Sequence, residues 1–125
     1  MKKFNPVVYF EIPVTDLQRA AKFYESVFGF EFESGVIDEN EMAFFPFDSE
    51  LQGISGALVK GEIYKPTHDG VVIYFKSLSI EETLSTAANF GAKILYPKTS
   101  VGEHGYVAEF QDSEGNRIAL HQTAE

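Results

Sequence analysis

The feature that most constrains this chain is that its pattern runs twice. "VYFEIPVTD" near the start superposes on "VVIYFKSLS" in the second half, and each leads into a helix closed by Phe-Gly. "GALV" (56–59) stands in the first half where "IALH" (118–121) stands in the second. A repeat of about sixty residues, ordered strand, helix and three strands, predicts two fused copies of one βαβββ unit. In the first copy the strand "NPVVYFEIPV" places Phe10, Ile12 and Val14 on one face and Tyr9, Glu11 and Pro13 on the other. Asp16 caps the helix, whose stripe is Leu17, Ala20, Ala21, Tyr24, Val27 and Phe28, and Gly29 stops it. Strands are predicted at "FEFES", "EMAFFPFD" and "ISGALVK". In the second copy Ser79, with Glu82 three residues on, caps a helix ended by Gly91, and "AKILYP", "GYVAEFQD" and "NRIALHQ" follow as strands.

The predicted fold class is therefore α+β: two tandem βαβββ modules whose curved sheets enclose a cleft. Residues 1–125 form a single domain, with the repeats at 1–60 and 70–125 joined by a linker at 61–69. One helix covers one face of each sheet, and the fellow module is the expected cover for the other. A cleft between two sheets is a natural ligand site.

Composition narrows the partners. Twelve Phe and six Tyr without a Trp suit strands around a core or cavity. A net charge of −9 repels nucleic acid and anionic membrane surfaces and attracts a cationic small molecule. From Glu25 to Glu50 there are eight acidic residues and no Lys or Arg, which reads as a solvated edge or as an acidic mouth over a ligand site. The absence of Cys excludes disulfides, thiolate nucleophiles and Cys-bound zinc. No apolar run approaches the ~18 residues of a membrane span, and Met-Lys-Lys followed by Asn5 and Pro6 makes no leader pattern, so a cytoplasmic protein is expected. No GxGxxG, Walker or GxSxG motif occurs.

"YFEIPVTDLQRAAKFYESVFGFEF" resembles the opening of the vicinal oxygen chelate superfamily, which includes glyoxalase I, extradiol dioxygenases, fosfomycin-resistance enzymes and bleomycin-binding proteins. "GYVAEFQDSEGNRIALHQ" resembles its closing signature, with Ser113 where an Asp-Pro turn is usual. The subgroup with "FEIP" in its first strand resembles lactoylglutathione lyase. The resemblance implies a divalent metal held by His and Glu from both modules, acting as a Lewis acid on vicinal oxygens. The ligand positions it implies fall on Tyr9, Ala57, Val72 and Ala119. Val and Ala cannot ligate and Tyr alone is a poor anchor, so no metal and no other cofactor is expected. A one-residue slip would turn each side chain to the opposite face.

What remains on the cleft face is Tyr9, Glu11, Tyr74, Lys76, Arg117 and His121, with His104 in the loop "SVGEHGY". Glu11 is the candidate general base if its face is dry, or a structural partner of Lys76 or Arg117. His121 is a second candidate acid or base, or a solvated terminal residue. His68 reads as a surface residue. A displaced metal site from Glu11, His104 or His121 has no supporting motif. Ser55, between glycines, reads as a packing residue. "FFPF" (44–47) reads as strand core and cleft wall.

The functional expectation is a glyoxalase-like, metal-independent protein that binds a small organic molecule and could catalyse proton transfer, as in lyase or isomerase chemistry. The alternative is a non-catalytic sequestering protein of the bleomycin-binding type. A metal-dependent lyase or dioxygenase ranks third. A homodimer is a further expectation, through edge strands at "FEFES" or "AKILYP".

Overall fold

Alternating apolar residues and two capped helices build the same unit twice. The computed structural model describes residues 3–125; Met1 and Lys2, and with them the reading of the Met-Lys-Lys opening, lie outside the described residues. The first module is β1 (Phe10–Pro13), α1 (Leu17–Phe28), β2 (Glu33–Ile37), β3 (Asn40–Phe44) and β4 (Gly56–Lys60). The second is β5 (Ile73–Lys76), α2 (Ile80–Asn89), β6 (Lys93–Ser100), β7 (Tyr106–Gln111) and β8 (Arg117–Gln122), with a short 3-10 turn at Gly102–His104. The strand orders are β1-β4-β3-β2 and β5-β8-β7-β6. In each sheet the first strand pairs parallel with the last, and the other pairings are antiparallel. The sheets stay separate and do not close into a barrel. Among the described residues no helix is long and apolar enough to cross a membrane.

The helix caps follow the sequence. The Asp16 side chain accepts from the Arg19 amide, and Gly29 ends α1 in the left-handed region at φ 79°. Ser79 accepts from the Glu82 amide at the start of α2. Several strands depart from expectation: β1 begins at Phe10 rather than Asn5, and β3 ends at Phe44, short of the predicted Asp48. Phe30 and Phe32 leave the strand predicted at "FEFES", and β2 begins at Glu33. The Phe30 ring stacks on Phe28 with centroids 5.0 Å apart, and Phe32 meets Phe45 edge-on at 4.8 Å. Burying two rings outweighs extending the ladder. β6 runs on to Ser100 past Pro97, with register shifts on either side of Tyr96. Proline has no amide to offer the ladder, so the strand bulges.

The modules share one core and meet through their helix-bearing faces. Ala20, Phe23, Tyr24 and Val27 of α1 pack with Ile12, Val14 and Leu58 of the first module and with Phe75, Phe110, Ile118 and Leu120 of the second. Tyr24 lies edge-on to Phe45 at 5.5 Å and tilted against Phe75 at 5.9 Å, so one ring touches both modules. On the opposite face of the first sheet, Met42, Ala57 and Val59 are buried with Phe44 and with Tyr64 of the linker. The linker therefore supplies cover that the fellow module was expected to give.

The turn between β7 and β8 staples the modules. Asp112 is buried, and its carboxylate accepts from the Tyr24 hydroxyl (2.7 Å), the Glu114 and Asn116 amides (both 2.9 Å) and Asn116 Nδ2 (3.1 Å). Asn116 Nδ2 also donates to the Pro13 carbonyl at 2.8 Å. The fully buried Glu114 side chain accepts from the amides of Thr15 and Asp16 and from Arg19 Nε at 2.7 Å. Ser113, which stands where the signature usually has Pro, donates to Glu114 Oε2 at 3.0 Å.

Burial alone would raise the Glu114 pKa, but the hydrogen bonds from Arg19, Asp16 and Thr15 outweigh it and bring it from 4.5 to about 2. This stabilisation is full above pH 4.5 and is lost as the pH falls toward 2. Asp112 acts in the opposite sense. Burial raises its pKa, so its contribution is full below the ordinary value of 3.8 and is lost as the pH rises through the raised one. Glu114→Gln should destabilise the fold by about 1–3 kcal/mol, because the charge-assisted bonds that the buried Glu114 carboxylate accepts are lost. Urea denaturation should also show a shallower stability loss between pH 4.5 and 2 in the variant than in the parent.

Candidate functional site

Strand register fixes what surrounds each of the four corner positions. Ala57 lies in β4 between Glu11 of β1 and Phe44 of β3. Ala119 lies in β8 between Tyr74 of β5 and Glu109 of β7. Tyr9 and Val72 stand immediately before β1 and β5. Both alanines are fully buried, so a methyl group fills each place to which the resemblance assigned a ligand. Among the described residues no three His, Asp or Glu side chains converge to hold an ion. The residues present do not fit a metal at these corners.

The polar groups pair within each sheet. Glu11 is exposed and accepts from the Tyr9 hydroxyl at 3.1 Å. It does not pair with Lys76 or Arg117. Arg117 bonds Glu109 at 3.0 Å instead, and its Nε is buried without a partner. His121 is held inside β8, where Nε2 meets the His104 carbonyl at 2.6 Å, so it is neither frayed nor free. Tyr74 and Lys76 are exposed on β5. His68 lies on the surface beside Asp69, at 3.7 Å. Ser55 lies just before β4 rather than within it, and its hydroxyl donates to the Pro46 carbonyl.

An open cavity of about 700 Å³ lies beside the first sheet. Its walls include Tyr9, Phe32, Phe44, Phe45 and Phe47, with the exposed carboxylates Glu31 and Glu33. A smaller one of about 230 Å³ lies between the modules and includes Glu11 and Arg117. Of the predicted cleft residues, Tyr9 therefore lines one hollow and Glu11 and Arg117 another, while Tyr74, Lys76, His104 and His121 line neither. The "FFPF" stretch and the acidic run were the available signals for the larger cavity. Phe32 and Glu33 were hidden because the break before β2 does not show in the pattern.

Tyr64 of the linker packs over Ala57, the strand partner of Glu11, and the Glu11 charge raises its phenol pKa. Burial raises Tyr9 from 10.0 to about 12, helped by its hydrogen bond to Glu11 and that group's negative charge. Carbon-detected NMR of the tyrosines should find Tyr9 titrating near 12, and Glu11→Gln should bring it part of the way back toward 10.0.

Known proteins match this architecture. A family described as bleomycin resistance protein-like N-terminal matches residues 7–46. A glyoxylase-like domain-containing protein of Didymella fabae is 33% identical over 116 residues, covering 88% of each chain. An antibiotic-binding protein from Streptomyces sp. CB03234 superposes with a TM-score of 0.68 at 20% identity, over 99% of this chain and 100% of that one. The trypanothione-dependent glyoxalase I of Leishmania major superposes with a TM-score of 0.72 at 21% identity, over 95% and 87%. Duplicated modules, their strand order and this relatedness agree: the chain belongs to the glyoxalase/bleomycin-resistance superfamily.

Proposed function

We propose that this protein binds a small organic molecule without a metal and sequesters it rather than turning it over. The observation that carries this reading is the cavity of about 700 Å³, walled by Tyr9, Phe32, Phe44, Phe45 and Phe47. Its volume suits a drug-sized ligand, and mostly apolar walls with a few polar groups are the usual composition of such sites. The fold alone does not decide, since it carries both an antibiotic-binding protein and a glyoxalase I among its structural neighbours.

Two observations favour sequestration over proton transfer. Glu11, the candidate base, is exposed and already engaged by Tyr9, so the dry face that would tune it is missing. His121, the other candidate, is tied to the His104 carbonyl. The unsuitable corners at Tyr9, Ala57, Val72 and Ala119 support the metal-free part of the reading. The expected self-association would use β2, an outer strand with Val36 and Ile37 exposed, more readily than the bulged β6 with its Lys93 and Pro97.

A thermal-shift screen of small organic compounds tests the proposal. A true ligand at 100 times its Kd should stabilise the fold by about 2.7 kcal/mol. Phe47 is 66% exposed, so Phe47→Ala should leave the unliganded protein folded while weakening that ligand by about tenfold. Elemental analysis after dialysis should find no stoichiometric Mn, Fe, Ni or Zn. One ion per chain would overturn the metal-free reading, and measurable turnover lost in Glu11→Gln would overturn sequestration.

A further inference from the structure

The linker holds an Asp-Gly step, Asp69–Gly70, whose carboxyl and amide groups are both idle. Of the chain's aspartates only Asp69 is followed by glycine. Its side chain is 86% exposed, and its ion-pair neighbour His68 stands 3.7 Å away, beyond hydrogen-bond length. The Gly70 amide is exposed and donates to no carbonyl among the described residues. The other aspartates differ. Asp112 is buried among its donors, Asp16 accepts from the Arg19 amide and Asp48 accepts from the Glu50 amide. Asp38 is followed by Glu39, whose side chain shields the intervening amide.

Groups left free at such a step react with each other. The Gly70 nitrogen attacks Asp69 Cγ, a succinimide ring closes, and the amide proton leaves with the carboxyl OH as water. Water then re-enters at either carbonyl of the imide. Entry at Cγ breaks the new Cγ–N bond and restores aspartate. Entry at the main-chain carbonyl breaks the original C–N bond, and the chain then runs through Cγ as isoaspartate. The water released is the water taken up, so no other reactant is needed. Glycine matters because ring closure brings its nitrogen against the preceding side chain, in a backbone geometry that a Cβ obstructs. A Cβ on Gly70 would also meet Thr67 Cγ2 at 3.2 Å.

We propose that Asp69–Gly70 is a spontaneous modification site, at which Asp69 converts through a succinimide to isoaspartate, and that conversion loosens the linker's hold on the hairpin that staples the modules. The linker is anchored to that hairpin by the Thr67 amide, which donates to Asn116 Oδ1 at 3.0 Å. The Asp69 amide turns back onto Thr67 Oγ1 at 3.0 Å, and β5 begins at Ile73. Isoaspartate adds a carbon to the main chain between these fixed points, so the bend no longer fits its span. Asn116 is buried, and its Nδ2 holds both the Asp112 carboxylate and the Pro13 carbonyl, so the disturbance enters at the staple. The site is independent of the aromatic cavity and of any ligand there.

Storage of the folded chain at neutral pH tests it. Labelling by a protein isoaspartyl methyltransferase reads the product, and tandem mass spectrometry of its peptides places it. Isoaspartate should accumulate at residue 69 and at none of the other aspartates. No hydrogen bond must break first, so the folded chain should convert at a rate within about tenfold of a free peptide of residues 65–72. Asp69→Glu should abolish the label, Gly70→Ala should slow its appearance, and Asp69→Asn, whose side-chain amide departs more readily, should speed it. Circular dichroism establishes that each variant is folded. Hydrogen-exchange NMR should find the Thr67 amide exchanging faster in stored protein than in fresh protein or in stored Asp69→Glu. A folded chain left unlabelled over the time in which the peptide converts, or an equal rate in Gly70→Ala, would overturn the site. Labelling with unchanged Thr67 exchange would overturn the loosening.

Discussion

The buried carboxylate of Asp112 is the constraint on which the rest of this structure depends. An ionised group out of water needs a donor for each lone pair, and this one finds four: the Tyr24 hydroxyl, two amides of its own turn and the Asn116 side chain. Meeting that need fixes α1, because Tyr24 is its central core residue. It also fixes the turn, whose Glu114 then receives the two amides that precede α1. Once Tyr24 is placed, its ring packs on both Phe45 and Phe75, which themselves meet across the modules at 5.6 Å. The same hairpin reaches the second helix, where Gln122 accepts from the Ile80 amide at 2.8 Å.

Duplication left two equivalent corners that have diverged. Both hold a fully buried alanine, whose methyl group offers no ligand atom. In the first module the space beside that alanine holds an exposed carboxylate among tyrosines. In the second, Glu109 is committed to Arg117, and the face is occupied by its own ion pair. Equal backbones thus present an open anionic corner on one sheet and a neutralised one on the other. This asymmetry points the functional reading to the first module.

The architecture was legible because it rests on local signals. Period-two alternation gave the faces of β1, cap chemistry gave the ends of α1 and α2, and the repeat gave the order. The strands that slipped are those where local pattern and tertiary burial disagree. Phe30 and Phe32 alternate like strand residues, but the core claims both rings. The candidate site was less legible for a related reason. Alternation shows which face Glu11 and Arg117 occupy but not which neighbour each will meet. Arg117 has a partner in its own sheet, across one strand pairing, and so never reaches Glu11. Tyr64 was hidden in a segment read only as linker, since nothing in "GEIYKPTHDG" signals that one of its rings folds back over β4.

The staple also orders events in time. The acceptor for Tyr24 lies 88 residues further along the chain, and the one for the Thr15 amide lies 99 residues on. During synthesis the first module leaves the ribosome with its central phenol unmatched and its aromatic stripe bare, long before the hairpin that completes both has been translated. Such distant closures slow folding, because most of the chain must be ordered before they form. The nascent first half is therefore the stage at which this chain most needs protection from aggregation, and its dense negative charge is well placed to keep it in solution.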